Sequence, residues 1–254
     1  MSVLVTTVIL LRHGRSTANV SGVLAGRTEG VGLDDHGRSQ AEKLVDRLAE
    51  LPLAAAVTSP LQRCRETLAP LLAARGLEAT VEEDLSEVDY GDWTGRKLGE
   101  LGKEDLWKVV QAHPSAAVFP GGEGLAGMQA RAVAAIRRHA ARIGAEHGEK
   151  ALWVACSHGD VIKAAVADAL GLHLDSFQRI VVDPCSVSVI SYTPTRPFVV
   201  RVNDTGGDLS ALVPKPDTDE TGETGEPGGD ESTAAAGDDV VPAEATVGGS
   251  TGVA

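Results

Sequence analysis

The stretch Val3-Leu4-Val5-Thr6-Thr7-Val8-Ile9-Leu10-Leu11-Arg12-His13-Gly14 decides the reading of the fold. From Val3 to Leu11 the residues are apolar or β-branched, with no helical spacing. That is the pattern of a strand buried on both faces, which belongs to a sheet covered by helices on each side. The run has no basic leader and no small-residue cleavage site, and Arg12-His13 ends it well short of a membrane span, so neither a targeting signal nor a span is expected. Its consequence is positional: Arg12, His13 and Gly14 arrive at the carboxyl end of the strand, where α/β sheets bind their ligands.

Working outward, Ala41, Leu44, Val45 and Leu48 recur at helical spacing after Gly37, and Ala54 to Thr58 is a short apolar run. Ser59-Pro60-Leu61-Gln62 carries a capping-box pattern, with serine as N-cap and proline at the first helical position, which puts Arg63 in the first turn of a helix. Leu125, Met128, Ala132, Ile136 and Ile143 mark a long amphipathic helix, and Ala151 to Cys156 a buried strand. Val161 to Leu170 reads as a helix that Asp160 can cap, and Val187 to Ser191 and Phe198 to Val202 as late strands joined by a Pro-containing turn. Alternating strands and helices predict an α/β fold, a three-layer sandwich with a mostly parallel central sheet flanked by helices. Two histidines, His13 and His158, then sit at strand ends.

The charge is unevenly placed. The 254 residues carry a net charge of -13, which argues against nucleic-acid backbone binding. Residues 204–254, however, hold 12 acidic residues against the single Lys215, with ten glycines, four prolines and no aromatic. Such a stretch cannot offset its conformational entropy by burial, so a disordered acidic tail over 204–254 is expected after a nearly neutral domain over 1–203. Cys64, Cys156 and Cys185 are odd in number and form no CxxC pair, which speaks against a disulfide framework or a cysteine zinc site and for a reducing cytoplasm.

Several separated motifs occur in order: Arg12-His13-Gly14 with Ser16, Asn19 and Gly26-Arg27; Thr58-Ser59-Pro60-Leu61-Gln62-Arg63-Cys64-Arg65-Glu66-Thr67; Leu85-Ser86-Glu87 with Tyr90-Gly91-Asp92-Trp93; Pro120-Gly121-Gly122-Glu123; and Ser157-His158-Gly159. In these the chain resembles the histidine phosphatase superfamily, the group of cofactor-dependent phosphoglycerate mutases and related broad-specificity phosphatases. The resemblance implies a phosphoglycerate mutase-like fold, His13 as the nucleophile that carries a phosphoryl group, and Glu87 as general acid and base. It implies Arg12, Arg63 and His158 as contacts to the phosphoryl oxygens, and Asn19, Gly26, Arg27 and Gly159 as substrate-side residues. The chemistry of the residue types agrees, because phosphoryl transfer needs an in-line nucleophile and planar cationic donors for the non-bridging oxygens.

The rest of the titratable residues read as structural. His36 and His113 lie in turn-like contexts, and His139 and His147 belong to the long helix and its end. Arg65 reads as a surface charge, Glu82, Glu83, Asp84 and Asp89 as solvated loop charges, and Cys156 as a buried small hydrophobe. No histidine has a metal-ligand spacing, so neither metal nor cofactor is expected. The implied partner is a small phosphorylated metabolite, with no nucleic acid and no membrane. A homodimer and a partner for the tail both stay open.

Thirty residues separate Gly91 from Gly122, and they offer Arg96, Lys97, Lys103 and Lys108 among four acids, without paired arginines. No second phosphate clamp is evident there, which favours hydrolysis of phosphomonoesters. A phosphoglycerate-type phosphomutase is the alternative, and a catalytically silent binding module with an interacting tail the second. Two departures from the family pattern stand out. Gly124 replaces a common serine, and Asp160 follows His158-Gly159, where an acid is expected to raise the pKa of His158 or to repel a carboxylated substrate.

Overall fold

A computed structural model of the chain describes residues 5–148 and 150–207. Val3 and Leu4 of the opening stretch and residues 208–254 of the acidic segment lie outside the described residues.

In chain order the strands are β1 (Thr6–Arg12), β2 (Leu53–Thr58), β3 (Ala79–Val81), β4 (Ala151–Ser157), β5 (Val187–Tyr192) and β6 (Pro197–Asp204). The helices are α1 (Thr17–Ser21), α2 (Asp35–Arg47), α3 (Gln62–Arg75), α4 (Leu98–Leu101), α5 (Asp105–Ala112), α6 (Leu125–His147) and α7 (Gly159–Ala169). The strands form one sheet in the order β3-β2-β4-β1-β5-β6. β3, β2, β4 and β1 run parallel, while β5 and β6 add an antiparallel hairpin at the β1 edge. This is the three-layer, mostly parallel architecture expected.

The opening strand shows why. Val8 and Leu10 join a core with Trp153 and Ala155 of β4, Met128 and Ile136 of α6, and Val161 and Ile162 of α7. Ile9 and Leu11 point to the opposite face, into a core with Leu44 and Leu48 of α2 and Cys64, Leu68 and Leu71 of α3. Period-2 alternation thus serves two cores at once, so no position of the strand can be polar without a partner. No helix of the described residues is long and apolar enough to cross a membrane.

Two helix starts differ from expectation, and both differences lie at the site. Helix α3 begins at Gln62 with Leu61 at the N-cap and no side-chain cap. The Ser59 capping box does not form, because Ser59 follows β2 in extended register and its Oγ lies 2.8 Å from His158 Nε2. Helix α7 begins at Gly159 with His158 as its N-cap residue, so Asp160 sits inside the first turn and does not cap it. Helix α2 is capped conventionally, Asp34 Oδ1 accepting from Gly37 N at 2.7 Å.

Candidate active site

Parallel register brings three strand ends level. Arg12 of β1 lies opposite Ser157 of β4, and Cys156 of β4 opposite Thr58 of β2. Backbone bonds continue past the strands, from His13 N to Ser157 O at 3.0 Å and from Ser59 N to Cys156 O at 2.9 Å. The next side chains along, His13 and His158, consequently face each other with ring centroids 5.3 Å apart. Arg63, the second residue of α3, reaches the same place. Arg12, His13, Arg63, Glu87 and His158 are all buried, none more than 3% exposed.

The loop holding His13 is fixed through its backbone. Gly14 N donates to Thr67 Oγ1 at 2.9 Å, and Thr67 Oγ1 donates to Arg63 O at 2.7 Å, so one hydroxyl ties the histidine loop to α3. On the other side Gly14 meets Gly37 backbone to backbone. A Cβ on Gly37 would lie 2.0 Å from Arg15 O, and one on Gly14 would lie 2.8 Å from Gly37 O.

His13 Nδ1 lies 2.7 Å from Gly14 O. A carbonyl oxygen only accepts, so Nδ1 carries the proton and Nε2 presents its lone pair. Burial, with Arg63 and then Arg12 nearby, holds the His13 pKa well below the ordinary histidine value. Burial and Arg63 do the same for His158, together with His13, Arg12 and Arg131. Both shifts favour the neutral imidazole, in which form His158 offers a hydrogen bond rather than a positive charge. Its Nε2 meets Ser59 Oγ at 2.8 Å and Cys64 Sγ at 3.5 Å. Arg12 is anchored by Nη1 donating to Val182 O at 2.7 Å, and Arg63 by Nη2 donating to Gly26 O at 2.8 Å.

Glu87 lies in the loop after a short 3-10 turn at Glu83–Leu85. Every carbonyl from 84 to 87 is held. Arg131 of α6 donates Nη1 to Asp84 O and Ser86 O at 2.7 and 2.8 Å, and Nη2 to Glu87 O at 3.1 Å. Ser157 Oγ donates to Leu85 O at 2.8 Å, and Arg27 Nε to Glu87 O at 2.9 Å. Glu123 completes the frame, pairing with Arg27 at 2.9 Å and Arg131 at 2.5 Å. Burial first, then the charge of Asp160, raise the Glu87 pKa to about 7, against the opposing pull of Arg63, the Val88 N–H and Arg12.

The structure brings Arg12, His13, Arg63, Glu87 and His158 together. Gly26 stands beside Arg63 through its carbonyl, and Gly159 is the first residue of α7. Arg27 is half-exposed and engaged with the Glu87 carbonyl and Glu123. Asn19 Oδ1 accepts from Ser16 N and Oγ at 2.9 and 2.8 Å, closing the cap of α1. Arg131 was not singled out from sequence, since it is one of several arginines on α6, and Glu123 stood in a motif without a role.

Two readings are corrected. Asp160 does not raise His158: its Oδ2 accepts from Tyr90 Oη at 2.8 Å, and its charge bears on Glu87. Glu82 and Asp84 are not simply solvated, because Glu82 lies 2.8 Å from His139 Nε2 and Arg138 pairs with Asp84 at 2.8 Å.

Residues 8–205 match the profile of the histidine phosphatase superfamily, branch 1. The chain belongs to that family. It is 29% identical over 200 residues to phosphoserine phosphatase 1 of Hydrogenobacter thermophilus, covering 78% of this chain and 92% of that one. It is also 29% identical over 210 residues to a probable phosphoglycerate mutase GpmB of Klebsiella pneumoniae, covering 81% and 94%. Among solved structures, Bacillus stearothermophilus YhfR superposes with a TM-score of 0.71 at 28% identity, over 78% of this chain and 97% of the other. In this histidine phosphatase superfamily member, the matched span contains Arg12, His13, Arg63, Glu87 and His158.

Proposed function

We propose that this chain is a metal-independent phosphomonoesterase that works through phosphohistidine on His13, with Glu87 as general acid and base. The observation that carries the reading is the fixed tautomer of His13, whose Nδ1 is tied to Gly14 O while Nε2 carries the lone pair beside two arginines. In the first step Nε2 attacks phosphorus, the P–O bond to the alcohol breaks, and Glu87 gives the leaving oxygen its proton. Arg12 and Arg63 neutralise charge on the non-bridging oxygens, and His158 donates a hydrogen bond to them. In the second step the Glu87 carboxylate takes a proton from water, the hydroxide attacks phosphorus, and His13 Nε2 leaves neutral as phosphate is released. A carboxyl with a pKa of about 7 serves both steps, acid in one and base in the other.

The substrate is read as a small phosphorylated metabolite, the acidic segment that follows Asp204 of β6 as a solvating appendage, and the reducing cytoplasm as the place of work, in keeping with three free, buried cysteines. His13→Ala tests the mechanism. It is expected to abolish both turnover of p-nitrophenyl phosphate and the acid-labile phosphoenzyme, and survival of either refutes the role. The phosphomutase alternative is decided by incubating 3-phosphoglycerate with and without a bisphosphate primer. Isomerisation in excess of phosphate release would overturn the hydrolase reading.

A further inference from the structure

The hydroxyl of Ser59 lies in the wall of the site, and the proposed reaction gives it no part. Ser59, Cys64 and His158 are fully buried. Ser59 stands in the turn from β2 into α3, where its Oγ accepts from Leu61 N at 3.3 Å and lies 2.8 Å from His158 Nε2. Cys64 Sγ, in the first turn of α3, lies 3.5 Å from the same nitrogen and donates to Ser157 O at 3.5 Å. A hydroxyl and a thiol thus meet one nitrogen of the ring.

These partners fix the place of the His158 proton. Burial and Arg63 favour the neutral ring, which has one N–H and one lone pair to distribute. With the N–H on Nε2, Ser59 Oγ would receive two donors, and its own proton would need another acceptor. Among the described residues Ser59 Oγ has no acceptor other than His158 Nε2. A buried hydroxyl without an acceptor is costly, so Ser59 donates to Nε2 and the ring proton sits on Nδ1. Nδ1 meets only Cys64 Sγ among the described residues, a weak acceptor 3.9 Å away. Although His158 occupies the N-cap of α7, its side chain makes no cap bond there.

We propose that Ser59 is a positioning residue that holds the His158 proton on Nδ1 and so makes that N–H the hydrogen-bond donor to the phosphoryl oxygens. The inference rests on the reading of His158 as a phosphoryl contact, and adds the donating atom and the residue that selects it. His13, with its ring 5.3 Å away, also carries its proton on Nδ1, tied to Gly14 O. The two histidines share a tautomer and turn opposite ends to the substrate. His13 offers the Nε2 lone pair to phosphorus, and His158 offers the Nδ1 hydrogen to oxygen. With its proton on Nε2, His158 would set a lone pair against an anionic oxygen that only accepts.

Two readouts on the full chain test this. Nitrogen-15 NMR of the imidazoles reads the tautomer, the His158 signals being assigned by their loss in His158→Ala. The wild type is expected to show a protonated Nδ1 and a bare Nε2; the reverse overturns the proposal, and this measurement needs no Ser59 variant. In Ser59→Ala the proton is expected to move toward Nε2, and the inhibition constant of orthovanadate to rise about tenfold, the effect of losing one charge-assisted hydrogen bond. An unchanged tautomer in that variant overturns the proposal. The second readout is the same substitution in the His158→Ala background. Acting through His158, Ser59→Ala should there leave the orthovanadate constant unchanged, whereas a tenfold rise in both backgrounds marks Ser59 as a brace of the β2–α3 turn and overturns the proposal. Turnover without a phosphohistidine overturns the parent reading and this one with it. Phosphohistidine formation by an enzyme whose His158 carries its proton on Nε2 overturns only the role of Ser59.

Discussion

Glu87→Gln is expected to stabilise the folded protein at alkaline pH while removing the proposed general acid. The carboxyl is raised from the ordinary glutamate value of 4.5 to about 7, chiefly by burial and then by Asp160. Below about pH 4.5 both the folded and the unfolded chain hold this proton, and the group is neutral to stability. Between about 4.5 and 7 only the folded chain holds it, so stability falls as pH rises, and above about 7 the loss is complete. The interval corresponds to about 3 kcal/mol, a large share of the stability of an ordinary domain. Glutamine mimics the protonated form at every pH and does not suffer this loss. Urea denaturation of both proteins at several values between about pH 5 and about pH 8 measures it. His13 and His158, whose pKa values are lowered, contribute the opposite slope, losing stability as pH falls below about 6.5. That slope is common to both proteins, so it cancels in the difference. Relative to the wild type, Glu87→Gln should gain about 2.5 kcal/mol of stability between about pH 5 and about pH 8. Denaturation midpoints that stay parallel across the range would refute the account of a proton held in the folded state.

Gly37→Ala places a Cβ 2.0 Å from Arg15 O, so it should cost about 3 kcal/mol and also lower turnover by displacing the His13 loop, as thermal melts and initial rates will show. Glu123→Gln removes the charge that pairs with Arg27 and Arg131, and loosening of the acid loop should lower kcat on an alkyl phosphate about tenfold with KM little changed. Arg142→Ala breaks an exposed pair with Glu146 one helical turn away, and should change the denaturation midpoint by less than about 0.5 kcal/mol equivalent.

The layering was legible because it depends on local pattern, and so were the places of Arg12, His13 and His158 in the chain, whereas Glu87 was reached only through the family resemblance. A strand apolar on both faces through its middle announces two covers, Arg12 ends that strand, and His13 and His158 are placed by being next in chain after β1 and β4. What was not legible depends on contacts across long separations. Arg131 grips carbonyls 44 to 47 positions earlier in the chain, and nothing in its own neighbourhood distinguishes it from Arg137 or Arg138 on the same helix. Ser59 looked like a helix cap because its local pattern permits one, but its hydroxyl met His158 at the start of α7, 99 positions away, and tertiary contact decided. Asp160 misled in the same way. A first-turn acid has a local explanation, and only the fold reveals that its carboxylate meets Tyr90, 70 positions earlier, and Lys163.

The grip on the acid loop has a wider consequence. Arg131, Arg27 and Ser157 hold carbonyl oxygens, which every amino acid possesses, so the socket does not inspect the side chains it displays. Chemistry and support are thereby separable: the residue shown at position 87 can change without dismantling the frame that presents it. A scaffold of that kind lets one architecture explore leaving groups by exchanging a single displayed side chain, while damage to the distant arginine of α6 would silence every version alike.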